Sequence, residues 1–240
     1  MVEFIQGIKM PIGDSIQFDK LDFRFGMFYN IYGKQKTGKT AICFYISNEL
    51  IKKGFNVLYV ETEKRITNYE AVYSELYQKH FQKLYTSPIP LFEFKNNEPD
   101  FNKFCEYLAN LINEKKINAV IIDSITHPLK NIHPKISGKV VTRFFNYFYE
   151  EIVIKYNILG IIVSHSWVDY NSETKTPSEV PRGSRQSRFI PNKTLQTIME
   201  EINLKMKGGR IEKKKEYSLN FHTIKIPFII NIDGTINKIG

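Results

Sequence analysis

The chain has 240 residues, 42% of them hydrophobic and 25% charged, which is enough for one substantial core and too short for a second domain of ordinary size. A single domain over 1–240 is expected, and a formal charge of +9, from 34 Lys and Arg against 25 Asp and Glu, favours an anionic partner. The two cysteines, Cys43 and Cys105, lie far apart in sequence and belong to no CxxC or His/Cys cluster, which argues against a zinc site and a disulfide scaffold, and no run of about 18 apolar residues occurs, so the expectation is a soluble cytoplasmic protein without a membrane partner.

The first element is an apolar, aromatic run from Met27 to Tyr32 that stops at Gly33. Apolar residues at helical spacing then fill Lys39 to Lys53 until Gly54 ends the pattern. Asn56 to Val60 reads as a strand, Asn68 to Leu84 as a helix and Leu91 to Phe94 as a short strand behind Pro88 and Pro90. Asp100 to Lys115 reads as a helix, Ala119 to Ile122 as a buried strand, Gly138 to Lys155 as a long amphipathic helix and Leu159 to Val163 as another buried strand. Fully apolar strands alternating with helices require a parallel sheet covered on both faces.

After Trp167 a polar stretch with Pro and Gly, VDYNSETKTPSEVPRGSRQSR, is too long for an ordinary connection and reads as a mobile functional loop. Thr194 to Lys205, Ile211 to Phe221, Thr223 to Ile232 and Thr235 to Ile239 then read as strands turning at Gly208-Gly209 and Asp233-Gly234. The expected architecture is α/β, a mainly parallel sheet flanked by helices that ends in antiparallel hairpins.

Gly33-Lys34-Gln35-Lys36-Thr37-Gly38-Lys39-Thr40 matches GxxxxGK[ST] at every fixed position, between a predicted strand and a predicted helix. The glycines let the backbone close round a phosphate, and the helix N-terminus adds inward N–H groups and partial positive charge. Lys39 is expected to reach the β- and γ-phosphates of ATP, and the Thr40 hydroxyl to ligate Mg²⁺, which prefers oxygen. The apolar strand Ala119 to Ile122 delivers Asp123 as a second oxygen ligand for the metal. Hydrolysis also needs a group that positions water, and the strand ending Tyr59-Val60-Glu61-Thr62-Glu63 offers two carboxylates. Alternation puts Glu61 and Glu63 on one face if the strand continues, so spacing does not choose between them.

With these motifs in this order, the chain resembles the RecA/RadA recombinase family, and within it the short archaeal RadB-type paralogues, from about Met10 onward. The family's segment after the second strand reads Y-hydrophobic-D-T-E with the last Glu as base, which implies Glu63 as the catalytic base beside Lys39. Its hydrophobic-D-S strand end corresponds to Ile122-Asp123-Ser124 and implies Asp123 as the metal-side carboxylate. Family members carry an Asn-Gln sensor after the next strand; here the glutamine is absent, and His165 or Ser166 stands in its place as γ-phosphate sensor candidate, His165 reading equally as a structural histidine. There is no Phe-x-x-Ala oligomerisation element, so the resemblance implies an accessory to a full recombinase, homo- or hetero-oligomeric, in preference to a filament-forming enzyme.

Arg182, Arg185 and Arg188, three apart in the polar stretch with Lys175 before and Lys193 after, are candidates for binding a nucleic-acid backbone. Trp167 and Tyr170 could stack on bases or sit at the edge of a core, and Lys213-Lys214-Lys215 reads as a solvated strand edge that blocks sheet aggregation. The leading expectation is a slow, Mg²⁺-dependent ATPase assisting DNA repair or recombination, with single-stranded DNA or a RadA-type recombinase as partner. The alternative is a KaiC-like ATP-dependent regulatory module without DNA binding; a helicase-type motor has no room for its accessory domains.

Overall fold

The computed structural model describes residues 15–18, 20–62, 81–85, 93–95, 98–132, 134–170, 177–181, 190–205, 211–231 and 236–238. A short hairpin, β1 (Ser15–Phe18) with β2 (Leu21–Arg24), precedes β3 (Phe28–Gly33), α1 (Lys39–Lys52) and β4 (Asn56–Glu61). Next come β5 (Phe81–Tyr85), the ribbon β6 (Glu93–Lys95) with β7 (Glu98–Asp100), α2 (Asn102–Lys115) and β8 (Ile117–Asp123). Helix α3 (Pro134–Tyr147) runs on as a π-helical segment, Phe148–Ile154, into β9 (Leu159–Tyr170) and β10 (Pro177–Pro181). The chain closes with β11 (Lys193–Lys205), β12 (Ile211–Phe221), β13 (Ile224–Ile230) and β14 (Ile236–Lys238).

The main sheet has the order β14-β13-β12-β11-β3-β9-β8-β4-β5, with β10 paired to β9. From β11 through β5 the neighbours run parallel, while β12, β13 and β14 are added antiparallel. This is the expected mainly parallel α/β sheet with an antiparallel C-terminal side. Strand β3 sits where the winding reverses: the chain leaves it toward β4 on one side and returns to β11 on the other. Ligands of such sheets bind beyond the carboxyl ends of the strands at that reversal.

The continuous apolar runs follow from burial of both sheet faces, since successive strand residues point to opposite sides. Val57, Tyr59, Ala119, Ile121, Leu159 and Ile161 join α1 and the β1–β2 hairpin in one core, whereas Leu58, Val60, Val120, Ile122 and Ile162 join α2 and α3 in the other. Gly160 is required by close approach of the helical layer: a Cβ there would lie 2.4 Å from Val153 Cγ2 and 2.9 Å from Phe148 Cε1. Among the described residues no helix is long and apolar enough to cross a membrane.

The structure corrects several sequence expectations. Residues 81–84, read as the end of a helix, lie in β5, which extends the sheet by pairing parallel with Val57 to Glu61 of β4; pairing to an open edge overrides the local pattern. Of the strand expected at Leu91 to Phe94, Glu93 and Phe94 lie in β6, which among the described residues pairs with β7 and not with the main sheet, while Leu91 and Phe92 lie outside the described residues. The β1–β2 hairpin was not anticipated, although Ile16, Phe18, Leu21 and Phe23 alternate into the core. Strand β9 does not stop at Val163, and part of the stretch read as a mobile loop is hairpin: Ser166 to Tyr170 pairs antiparallel with Pro177 to Pro181. Residues 171–176 and 182–189 lie outside the described residues. Lys213 to Lys215 pair with Asn203 to Glu201 on β11 and extend past the stretch of β12 covered by β13.

Candidate functional site

The segment between β3 and α1 closes on itself through short-range contacts. Lys36 and Gly38 adopt left-handed backbone (φ 62° and 89°), and Gly38 caps α1 without any side-chain cap hydrogen bond. The first turn of α1 has no acidic residue either, so the positive end of the helix carries no carboxylate of its own. Gly33 is pressed against the neighbouring strand: a Cβ would lie 2.4 Å from both the carbonyl oxygen and the Oγ1 of Thr197. The Thr37 hydroxyl donates to the Lys34 carbonyl at 2.8 Å and shares a 2.6 Å hydrogen bond with Thr197, which ties the loop to β11.

Lys39 is 7% exposed, and its ammonium donates to the carbonyl oxygens of Gly33 (3.0 Å) and Lys34. Carbonyls only partly offset the cost of burying a cation, so the position favours an anion beside it. An uncapped helix start and a buried lysine at one loop fit a polyphosphate chain.

Register brings the metal-side candidate to the same place. Glu61 pairs with Asp123 across β4 and β8, and both extend the rows of residues, Tyr59 and Ile121, that face α1. Thr40 Oγ1 donates to Asp123 Oδ2 at 2.6 Å, joining the end of the loop to the end of β8. The peptide bond after Asp123 is cis. Hydroxyl and carboxylate oxygens in contact, next to a phosphate-binding loop, are the donor set that Mg²⁺ takes from protein, the remainder of its shell being water and phosphate oxygen. Thr40 and Asp123 would hold it.

Two residues that sequence reasoning had not singled out complete this corner. The Tyr59 phenol donates to Asp123 Oδ2 at 2.7 Å, and burial, then the neighbouring Asp123 charge, pushes its ionisation well above the usual tyrosine range, so it stays a donor. Thr62 Oγ1 takes the Ser124 N–H at 2.9 Å and donates to the Ser124 carbonyl at 2.5 Å, and Thr62 N–H donates to the Asp123 carbonyl at 3.0 Å. The strand ends carrying Glu61 and Asp123 are thereby locked together. The available signal was alternation along Tyr59, Glu61 and Asp123, but it becomes readable only once β4 and β8 are known to be neighbours.

His165 lies in β9 in register with Gly33 and donates its backbone N–H to Thr126 Oγ1 at 2.9 Å. Ser166, one residue on, pairs with Pro181 of β10. The Lys34 ammonium meets the Glu179 carboxylate of β10 at 2.6 Å, linking the loop to the β9–β10 hairpin. Trp167 is exposed on that hairpin. Glu63, Arg182, Arg185 and Arg188 lie outside the described residues, as does Lys175.

The sheet order and this loop define a RecA-like P-loop ATPase. The solved KaiC-like protein of the hyperthermophilic archaeon Pyrococcus horikoshii has a similar fold, at 14% identity and a TM-score of 0.59 over 91% of each chain. A family model described as an ATPase domain found predominantly in Archaea matches residues 20–208, and the chain belongs to that family. No curated protein matches it.

Proposed function

We propose that the chain is a slow, Mg²⁺-dependent ATPase that assists DNA repair or recombination, binding single-stranded DNA or a RadA-type recombinase according to its nucleotide state. The observation that carries the ATPase part is the meeting of Thr40 with Asp123 at the end of a loop whose lysine is already turned inward. In this reading Gly33, Lys34, Gln35, Lys36, Thr37 and Gly38 wrap the phosphates with backbone amides, and Lys39 neutralises them. Mg²⁺, held by Thr40 and Asp123, would draw negative charge from the phosphate oxygens when bound. Glu63 orients the attacking water and accepts its proton.

His165 and Ser166 are the proposed reporters of the γ-phosphate, supported by the register of His165 with Gly33. The Lys34–Glu179 ion pair offers a second link from the loop to the hairpin that precedes Arg182, Arg185 and Arg188 in sequence. A net charge of +9 supports an anionic partner. The likeness to a KaiC-like protein over 91% of both chains favours a second reading, a regulatory ATPase whose basic segment docks an acidic protein.

ATP turnover measured with and without single-stranded DNA separates the two. Stimulation, lost on changing Arg182, Arg185 and Arg188 to alanine while ATP binding survives, is expected for the DNA reading. Indifference to DNA would favour the regulatory one. Glu63→Gln should abolish turnover and spare ATP binding; if Glu61→Gln alone does so, the base is Glu61.

A further inference from the structure

We propose that Tyr59 is a positioning residue that fixes the Asp123 carboxylate for the metal, an inference that rests on the Mg²⁺ reading of Thr40 and Asp123 given above. Two hydroxyls from different elements converge on one oxygen: Thr40 of α1 and Tyr59 of β4 both donate to Asp123 Oδ2, at 2.6 and 2.7 Å. With two donors on Oδ2, the carboxylate cannot rotate without breaking a hydrogen bond, and neither hydroxyl is spent on Oδ1. A ligating carboxylate whose orientation is set by partners of this kind binds metal more tightly than one free to turn.

The same helix that supplies Thr40 also seats the tyrosine. Phe44 follows Thr40 by four residues and so lies one turn along the same side of α1. Its ring stacks on Tyr59, with centroids 4.8 Å apart and planes at 18°. Tyr59 is 1% exposed, and a phenylalanine would fill nearly the same core volume. The phenol oxygen is therefore accounted for by its contact with Asp123 and not by packing, because a buried hydroxyl lacking a partner would destabilise the fold. The P-loop helix, through Thr40 directly and through Phe44 and Tyr59 indirectly, sets the carboxylate from two directions.

Binding of a fluorescent ADP, titrated in EDTA and then across Mg²⁺ concentrations, tests this without any turnover. Wild type is expected to bind more tightly with Mg²⁺, and Asp123→Asn to lose that gain. Tyr59→Phe should bind as wild type does in EDTA yet need about 10–100-fold more Mg²⁺ for the tighter state. Phe44→Leu, which keeps the hydroxyl and removes the ring that seats it, should raise the Mg²⁺ requirement in the same direction. Ile51→Val, a mild change in the same core away from Asp123, should leave it unaltered, as melting curves of all variants control for stability. An unchanged Mg²⁺ requirement in Tyr59→Phe and Phe44→Leu overturns the positioning role while the metal reading stands. A wild type indifferent to Mg²⁺ overturns the metal reading first, and the role of Tyr59 with it.

Discussion

Thr62 holds two strand ends together with one hydroxyl, accepting from the Ser124 N–H and donating to the Ser124 carbonyl in a buried setting. Thr62→Val keeps the shape and removes both hydrogen bonds that its hydroxyl makes to the Ser124 backbone. The expected cost is about 1–3 kcal/mol, read as a lower melting temperature; a variant as stable as wild type would show that the clamp contributes nothing. How far single residues were legible follows from how local their partners are. Gly33 to Thr40 could be read because a phosphate-binding loop is specified by spacing along one stretch of chain. Tyr59 and Thr62 could not, since their partners lie 64 and 62 residues away and meet them only through the pairing of β4 with β8.

Among elements, the helix layer and sheet come close at Gly160, where β9 passes under the π-helical segment after α3. Gly160→Ala would drive a methyl group into Val153 and Phe148, and overpacking of this kind typically destabilises by about 1–3 kcal/mol. Chemical denaturation measures it directly, and an unshifted midpoint would mean that the helix can lift away at no cost. The buried strands β4, β8 and β9 were legible because burial on both faces leaves near-continuous apolar runs, and β3 because only Asn30 interrupts its run. Edge elements were less so. The Phe81 to Tyr85 segment, with Phe81 and Leu84 three apart, carries a spacing that a helix shares, and only pairing to β4 makes it a strand. The β9–β10 hairpin looked like loop because its stability comes from backbone pairing, which polar side chains do not announce.

At the scale of the whole molecule, the sheet order puts β3 at the reversal of winding, with the loop that follows it flanked by Asp123 of β8, Thr197 of β11 and the β9–β10 hairpin. Topology and local motif therefore point to the same corner of the protein, where we propose that residues 33–40 enclose the phosphates of ATP. Calorimetric titration of Mg·ATP into wild type and Lys39→Ala, each verified as folded by its melting curve, tests that claim most directly. Wild type should bind saturably, and loss of the buried ammonium should weaken binding about tenfold or more. Equal affinity in the two proteins, or no binding by wild type, would contradict it.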